Sequence, residues 1–221
     1  MPKQVENVAA DDALTTIYRI THDEGDEAIA ARLAERLSVR PASMAGMVAR
    51  LSRDHLVAVD AKKRISLTPE GMVRAENMVR RHRLAECLLV DVLKLEWWRA
   101  YEEAHLMEHA ISDVTEPLIV AMLNDPDRSP FGYPIPGNAH SHPLSSRRLA
   151  DLPDQARSVV ERVYEEDEEL LRFFDQEGIR PGVAIEVLER APKRGTVTAV
   201  FGERQVVMGT DAARLVWVPE R

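Results

Sequence analysis

The sequence has few of the features that mark secreted or membrane proteins. It contains one cysteine, Cys87, among 221 residues, so the chain cannot form an internal disulfide, and a reducing cytoplasm fits this composition. No apolar run approaches the roughly 18 residues that a membrane span needs. The opening segment MPKQVENVAADD lacks the apolar stretch of a secretory signal, so we expect a cytoplasmic protein with no membrane partner.

Positive charge is also scarce overall, because the formal net charge is −8. Taken alone, that value argues against nucleic-acid binding. The charge is uneven, however, since residues 28–83 hold 12 Lys and Arg against 5 Asp and Glu. A basic module on an acidic body is compatible with DNA binding, because only the docking face must meet phosphates.

The basic stretch has the pattern of a helix-turn-helix followed by a hairpin. The segments 26–39 and 40–56 each place apolar side chains on one helical stripe. Only Ser38-Val39-Arg40 lies between Leu37, at the end of the first stripe, and Pro41, at the start of the second predicted helix. Pro41 stands at a preferred helix start. Residues 56–71 then alternate apolar and polar around the basic turn Asp-Ala-Lys-Lys-Arg. This order predicts a winged helix.

A winged helix places its second helix in the major groove and its wing on the backbone. The N-terminal residues of the helix near 41–53 would then read bases, and basic residues would contact phosphates. The readers or near-readers are Arg40, Ala42, Ser43, Gly46 and Met47. The phosphate contacts are Arg50, Lys62, Lys63 and Arg64. A solvated basic surface with a purely structural hairpin is the alternative.

Two further helices carry side chains that can bind a metal. On the long helix predicted over residues 68–93, His82 and Glu86 are i,i+4 neighbours. On the helix predicted over 97–111, His105, Glu108 and His109 fall within about 100° of arc. Asp12 or Asp11 of the first helix could add an oxygen. Nitrogen and oxygen donors without thiolate suit Mn²⁺ or Fe²⁺, and Zn²⁺ or Co²⁺ remain possible substitutes.

The same residues allow two other interpretations. His-x-x-Glu-His is also a zinc-hydrolase pattern, in which the Glu is the general base. That chemistry needs a third zinc ligand and a substrate cleft, and neither is visible in the sequence. The other alternative is a DNA-binding regulator whose metal site is structural or responds to zinc.

Three stretches carry a resemblance to the DtxR/MntR family of metal-dependent transcriptional repressors. They are residues 79–95, 102–113 and 127–137, and the last contains Ser-Pro-Phe-Gly-x-Pro-Ile-Pro-Gly. Residues 33–51 also look like the family's recognition motif. The resemblance implies a homodimer that binds a palindromic operator on double-stranded DNA when Mn²⁺ or Fe²⁺ is abundant. It also implies that the protein is not an enzyme.

The resemblance assigns roles to matched positions. Glu108 and His109 match the family's primary site, and Asp12 stands where manganese sensors have Asp. His82 and Glu86 match a second site. The chain departs from the pattern at His105, where iron sensors have Cys and manganese sensors Glu, and at Tyr101, where many members have His.

The C-terminal third is similar to the small SH3-like domain of longer family members. There the resemblance offers Glu166 and Glu169 as further second-site ligands, with solvated charges as the alternative. His140 and His142 are interpreted as linker residues. The predicted fold is mainly α (α+β): a winged helix-turn-helix (1–75), a helical metal-binding and dimerisation domain (76–140), a linker (141–155) and an SH3-like β-barrel (156–221).

Overall fold

The computed structural model describes residues 2–138 and 144–220, with side chains from residue 8 onward. The chain forms two compact units, residues 1–82 and 83–221. The boundary falls inside one long helix. Within the described residues, no helix is long and apolar enough to span a membrane. His140 and His142 lie outside the described residues.

The first unit is a helical bundle with a two-stranded hairpin. Its elements, with the long helix that it shares with the second unit, are α1 (Pro2–Tyr18), a π-helical turn (Arg19–Asp23), α2 (Ala30–Arg36), α3 (Pro41–Arg53), β1 (Val57–Val59), β2 (Ile65–Leu67) and α4 (Pro69–Cys87). β1 and β2 are antiparallel, and Val57 pairs with Leu67. The predicted winged helix-turn-helix is confirmed.

Local sequence explains how α3 is presented. Pro41 occupies the first turn, where its missing N–H costs nothing, and Arg40 before it is extended. Met44, Val48 and Leu51 are buried in the core of the first unit. Their helical spacing turns the opposite face of α3 to solvent.

Gly71 sets the distance between α4 and the hairpin. A Cβ at this position would lie 1.9 Å from the carbonyl oxygen of Leu56, a clash that only glycine avoids. The Thr68 hydroxyl accepts a hydrogen bond from the Gly71 N–H (3.1 Å) and donates to the His55 carbonyl (2.6 Å). The start of α4 is therefore held directly against the residues that precede β1.

The second unit begins with helices and continues into small sheets. Its helical elements before the sheets are a π-helical turn (Leu88–Val92), a 3₁₀ turn (Trp97–Arg99), α5 (Ala100–Glu108) and α6 (Glu116–Met122). The helix predicted over residues 97–111 is shorter in the structure, because α5 ends at Glu108. His109 is its C-cap residue.

The C-terminal part is a small β domain. Its regular elements are β3 (Arg157–Val159), β4 (Arg162–Val163), α7 (Glu168–Glu177), β5 (Ala184–Ala191), β6 (Thr196–Phe201), β7 (Arg204–Gly209), α8 (Thr210–Ala213) and β8 (Val216–Trp217). One antiparallel sheet has the order β3-β5-β6-β7, and β4 pairs with β8. This confirms the predicted fold class, mainly helical with a small C-terminal β domain.

Part of the segment predicted as a linker, residues 141–155, packs into the second unit. Leu149, Ala150 and Leu152 are buried in the core that the β domain shares with Trp97 and Phe131. The Val218 N–H donates to the Arg147 carbonyl (3.0 Å). The Pro- and Ser-rich composition suggested a loop, but burial of the apolar Leu-Ala-Asp-Leu segment fixes it within the second unit.

Candidate metal centre and nucleic-acid interface

The outer face of α3 carries the predicted base-reading residues. Arg40, Ala42, Ser43 and Gly46 are exposed, and Met47 is half-buried. The exposed side chains in the first turns are small, so the backbone of α3 can approach a groove closely. Ala42 can make apolar contact with a thymine methyl group, whereas Ser43 offers a hydroxyl that can donate or accept.

Arg50 lies one turn further along α3 and is half-buried. Its Nη2 donates to the thioether sulfur of Met47 at 3.1 Å. The contact orients the guanidinium along the helix surface, where a phosphate oxygen would compete for the same donor.

The wing tip is organised by Asp60. Its Oδ1 accepts hydrogen bonds from the backbone N–H of Lys62 (2.8 Å) and of Arg64 (2.9 Å). These bonds, that of Arg64 first, hold the pKa of Asp60 below its ordinary value. Lys63 adopts a left-handed conformation with φ of 64°. Lys62 and Lys63 are exposed at the tip.

Arg64 differs from its two lysine neighbours. Its Nε donates to Asp60 Oδ2 (2.7 Å), and its Nη1 donates to Glu27 Oε1 (3.1 Å). The hydrogen bond to Asp60, followed by that to Glu27, raises the pKa of Arg64. The structure thus places this predicted phosphate contact in an ion-pair network that ties the wing to the segment before α2.

The end of α5 brings three potential metal ligands together. His105 Nδ1 lies 3.1 Å from Glu108 Oε1, and His109 Nε2 lies 3.4 Å from the same oxygen. The Glu108 side chain is only 3% exposed, whereas those of His105 and His109 are 41% and 24% exposed. Because His109 caps the helix just after Glu108, both imidazoles converge on one buried carboxylate.

A pair of acidic side chains lies elsewhere in the same unit. Glu86 of α4 and Glu165, which follows β4, are both buried and offer carboxylate oxygens within 4.8 Å of one another. His82 precedes Glu86 by one turn of α4 and is also buried. Two carboxylates this close repel unless a proton or a cation lies between them.

Glu165 is a candidate ligand that the sequence analysis did not single out. The resemblance offered Glu166 and Glu169, but Glu169 is exposed, and Glu166 Oε2 accepts a hydrogen bond from the Tyr164 hydroxyl at 3.2 Å. The run of acids from 165 to 169 gives no local signal that selects one member. Only the packing of the segment after β4 brings Glu165 to Glu86.

Asp11 and Asp12 are distinguished by their surroundings in the first unit. Asp11 Oδ1 is paired with Arg74 Nε at 2.6 Å, which engages this carboxylate structurally. Asp12 lines a cavity of about 140 Å³ together with Ser43, Met44 and Met47 of α3. Of the two candidates on α1, Asp12 is therefore the one that adjoins the predicted DNA-reading helix.

The donors present fit a divalent cation. A buried carboxylate is costly unless a cation or hydrogen-bond donors balance it. Glu108 meets two imidazoles, so its group offers nitrogen and oxygen donors, whereas Glu86 and Glu165 offer carboxylate oxygens; neither group includes a thiolate. Such sets suit Mn²⁺ and Fe²⁺ and accept Zn²⁺. Tyr101, half-buried on α5, supplies a phenol where an imidazole would enlarge the donor set.

Family models match three consecutive parts of the chain. The N-terminal DNA binding domain of iron dependent repressors matches residues 8–65. The iron dependent repressor metal binding and dimerisation domain matches residues 68–137, and the FeoA domain matches residues 147–220.

Full-length relatives and solved structures agree with these matches. The chain is 35% identical to the diphtheria toxin repressor of Corynebacterium efficiens over 216 residues, covering 93% of this chain and 92% of that protein. It is 33% identical to the iron-dependent repressor IdeR of Mycobacterium leprae over 219 residues, covering 93% and 94%. A manganese-dependent transcriptional repressor in complex with manganese superposes with a TM-score of 0.87 at 33% identity, covering 95% of this chain and 98% of that one.

Proposed function

The chain belongs to the iron-dependent repressor family, also called the DtxR/MntR family, and on that premise we propose that it is a metal-activated transcriptional repressor controlling metal-homeostasis genes. It binds DNA and forms a homodimer, and it is not an enzyme. The observation that carries the proposal is the convergence of His105 and His109 on the buried Glu108 carboxylate in the part of the chain that matches the metal-binding domain.

We propose His105, Glu108 and His109 as ligands of one metal, and Glu86 as a ligand of a second. Asp12 and His82, which belong to the first unit, stay predicted ligands on the strength of the family resemblance. The metal supplies a positive charge that neutralises the buried carboxylates and holds its ligands in one arrangement. Mn²⁺ or Fe²⁺ is the proposed effector, because the donors are nitrogen and oxygen.

Regulation follows from linkage. A metal activates DNA binding only by as much as it binds the DNA-competent form better than the other form. Asp12 lines the same cavity as Ser43 and Met47. A restraint on the position of Asp12 therefore acts directly on Ser43 and Met47, which we propose to contact the bases.

We propose that α3 enters the major groove and that Lys62 and Lys63 of the wing meet phosphates. A two-fold symmetric dimer presents two such helices related by the same axis, so a palindromic operator is its natural target. The relatives are bacterial proteins, and bacterial DNA lies in the cytoplasm, so the proposed location is the cytoplasm.

In a metal-dependent repressor, the Glu of the His-x-x-Glu-His pattern is proposed as a metal ligand, whereas in a zinc hydrolase it would be the general base. As a general base, Glu108 would face an open coordination position and a substrate. Its side chain is instead nearly inaccessible and shares one oxygen with both imidazoles, which suits a ligand. With His105 as a ligand, the proposed site has one more nitrogen donor than a site with a carboxylate at position 105. Imidazole ligands suit Zn²⁺, so a zinc-responsive regulator is the second candidate.

The experiment is fluorescence-anisotropy binding to an operator candidate from upstream of its own gene or a metal-transporter gene. Mn²⁺, anaerobic Fe²⁺ and Zn²⁺ are titrated separately at fixed salt, with a chelator control. We expect tight binding with Mn²⁺ or Fe²⁺ and at least ~100-fold weaker binding in chelator, within the range of allosteric coupling. Activation by Zn²⁺ alone would establish the second candidate, and equal affinity in chelator would refute metal sensing.

Two variants on α5 make the test specific. Glu108→Gln removes the shared charge while keeping the side-chain shape, and we expect it to abolish metal activation in a folded dimer. Glu102→Gln changes an exposed carboxylate of the same helix and should behave as the unaltered protein. Normal activation of Glu108→Gln would remove Glu108 from the ligand set.

A further inference from the structure

The segment that carries Glu165 is anchored at its start by Arg162. This arginine is 1% exposed, and its guanidinium carbon lies 4.6 Å from the ring centroid of Trp217 and 5.7 Å from that of Tyr133. Its Nη2 donates to the Ser145 carbonyl at 2.8 Å, and its Nη1 pairs with Glu161. A desolvated guanidinium that is both paired and stacked on aromatic faces is a strong anchor.

The same segment is anchored again beyond Glu165 by two more arginines. The Arg172 guanidinium lies 4.1 Å from the Trp98 ring centroid, and that of Arg180 lies 4.8 Å from the Trp97 centroid. Trp97 is itself fixed, because its Nε1 donates to the Pro130 carbonyl at 2.9 Å and its ring packs at 4.9 Å from Phe131.

These contacts connect two parts of the second unit that differ in sequence origin. The three arginines lie within the FeoA match, residues 147–220, whereas Trp97, Trp98 and Tyr133 lie within the metal-binding and dimerisation match, residues 68–137. Both parts contribute to one apolar core. The arginines therefore fasten the β domain to the helical part on both sides of Glu165.

We propose that Arg162, Arg172 and Arg180, with the aromatic rings of Tyr133, Trp217, Trp98 and Trp97, form a cation–aromatic clamp that positions Glu165 beside Glu86. Through these contacts the three arginines hold in place the carboxylate that the β domain contributes to the proposed second site. The arginines are positioning residues, since none of them is proposed to touch the metal. The inference rests on the proposed metal-sensing function and identifies the residues that hold Glu165 in place at one of its two sites.

The clamp is testable at its exposed end. Arg172 and Arg180 are 49% and 43% exposed, so replacing both by Gln removes two cations without opening the core. The double Lys variant keeps the positive charges and serves as the conservative rescue. Arg194→Gln is the matched control, because Arg194 is an exposed arginine of the same domain that pairs with Glu189.

The measurement is Mn²⁺ binding to the full-length protein without DNA, followed by electron paramagnetic resonance of free and bound Mn²⁺. We expect two Mn²⁺ per chain for the unaltered protein and for Arg194→Gln. In the double Gln variant one site should weaken at least about tenfold, with a changed bound-state signal, while the other keeps its affinity. The double Lys variant should recover most of the loss, and Glu165→Gln should weaken the same site.

If both sites of the double Gln variant bind Mn²⁺ as tightly as those of the unaltered protein, the clamp is overturned. The same holds if both sites of Glu165→Gln keep their affinity. A single Mn²⁺ per chain in the unaltered protein would overturn the second site and with it the clamp, while metal-activated DNA binding through Glu108 would stand. An unaltered protein that binds no Mn²⁺, Fe²⁺ or Zn²⁺ would overturn the proposed function as well. These outcomes separate the two proposals.

Discussion

At the scale of single residues, burial decides what a side chain can do. Glu108 and Cys87 are 2% and 1% exposed, but their chemistry diverges. Glu108 meets two imidazoles, so its carboxylate lies where a cation would be stabilised. Cys87 packs with Leu84 and Ile135, and its sulfur contacts the Arg128 carbonyl oxygen at 3.5 Å. It lies beside Glu86 in sequence and still belongs to the core.

Cys87 should be chemically inert in the folded protein. Burial, followed by the nearby charge of Glu86, raises the pKa of the Cys87 thiol. Because the thiolate is the reactive form, we expect Ellman's reagent at pH 8 to label the native protein at least ~100-fold more slowly than the unfolded protein. The unfolded thiol ionises near 9.0, so its effect on folding stability is constant below that pH, and stability falls as the pH rises above it.

An internal reference makes the labelling quantitative. Ser112 is exposed in the same unit, so a Ser112→Cys variant should show one fast and one slow thiol. Two fast thiols would mean that Cys87 is accessible and that the packing around it is wrong.

At the scale of elements, the wing shows how neighbouring basic residues acquire different roles. Lys62 and Lys63 extend from a turn that Asp60 closes with two backbone hydrogen bonds. Arg64 is held between Asp60 and Glu27, and the backbone at Arg64 forms a bridge with Ile29. The lysines are therefore available to phosphates, while Arg64 supports the wing that presents them.

This division predicts distinct effects on DNA binding. Lys62→Ala should weaken binding to all sequences by a similar factor and reduce the salt dependence by about one counterion. Arg64→Ala should in addition speed hydrogen exchange of the backbone amides at positions 62 and 64, because the ion pairs that hold the turn are lost. Sequence-dependent losses in Lys62→Ala, or unchanged exchange in Arg64→Ala, would contradict these roles.

At the scale of the whole molecule, α6 presents an apolar face that the described residues of its own chain leave exposed. Ile119, Val120 and Leu123 pack inward, whereas Leu118 and Met122 are 65% and 64% exposed. Exposed apolar patches of this kind mark interaction sites. The helix lies in the region that matches the dimerisation domain, so we assign this face to the homodimer contact.

Charge on this face should separate the subunits. Leu118→Glu with Met122→Glu is expected to shift the protein to monomers in sedimentation equilibrium and to weaken operator binding at least ~100-fold, since both half-sites must be engaged together. Val207→Glu introduces a charge at an exposed apolar residue of β7 and should remain dimeric. A double Glu variant that stays dimeric would move the interface elsewhere.

The sequence by itself determined the parts that depend on local spacing. Helical and alternating periods predicted a helix over 41–53 and a hairpin with its turn around residues 60–64, and the structure has both elements. The helical repeat also predicted that His105, Glu108 and His109 lie close together, and the structure has them at the end of α5. Each of these features spans few residues, so the backbone geometry of one element is enough to fix it.

Only the tertiary structure decided the contacts between distant segments. Glu165 reaches Glu86 across 79 positions of the chain, Arg64 turns to Asp60 and Glu27, and residues 149–152 enter a core instead of a loop. No local period encodes such pairings, because they follow from how whole elements pack and from the need to balance buried charge and bury apolar surface. The residue types of the proposed metal ligands could be recognised in the sequence, whereas the residues that lie beside them were decided by the fold.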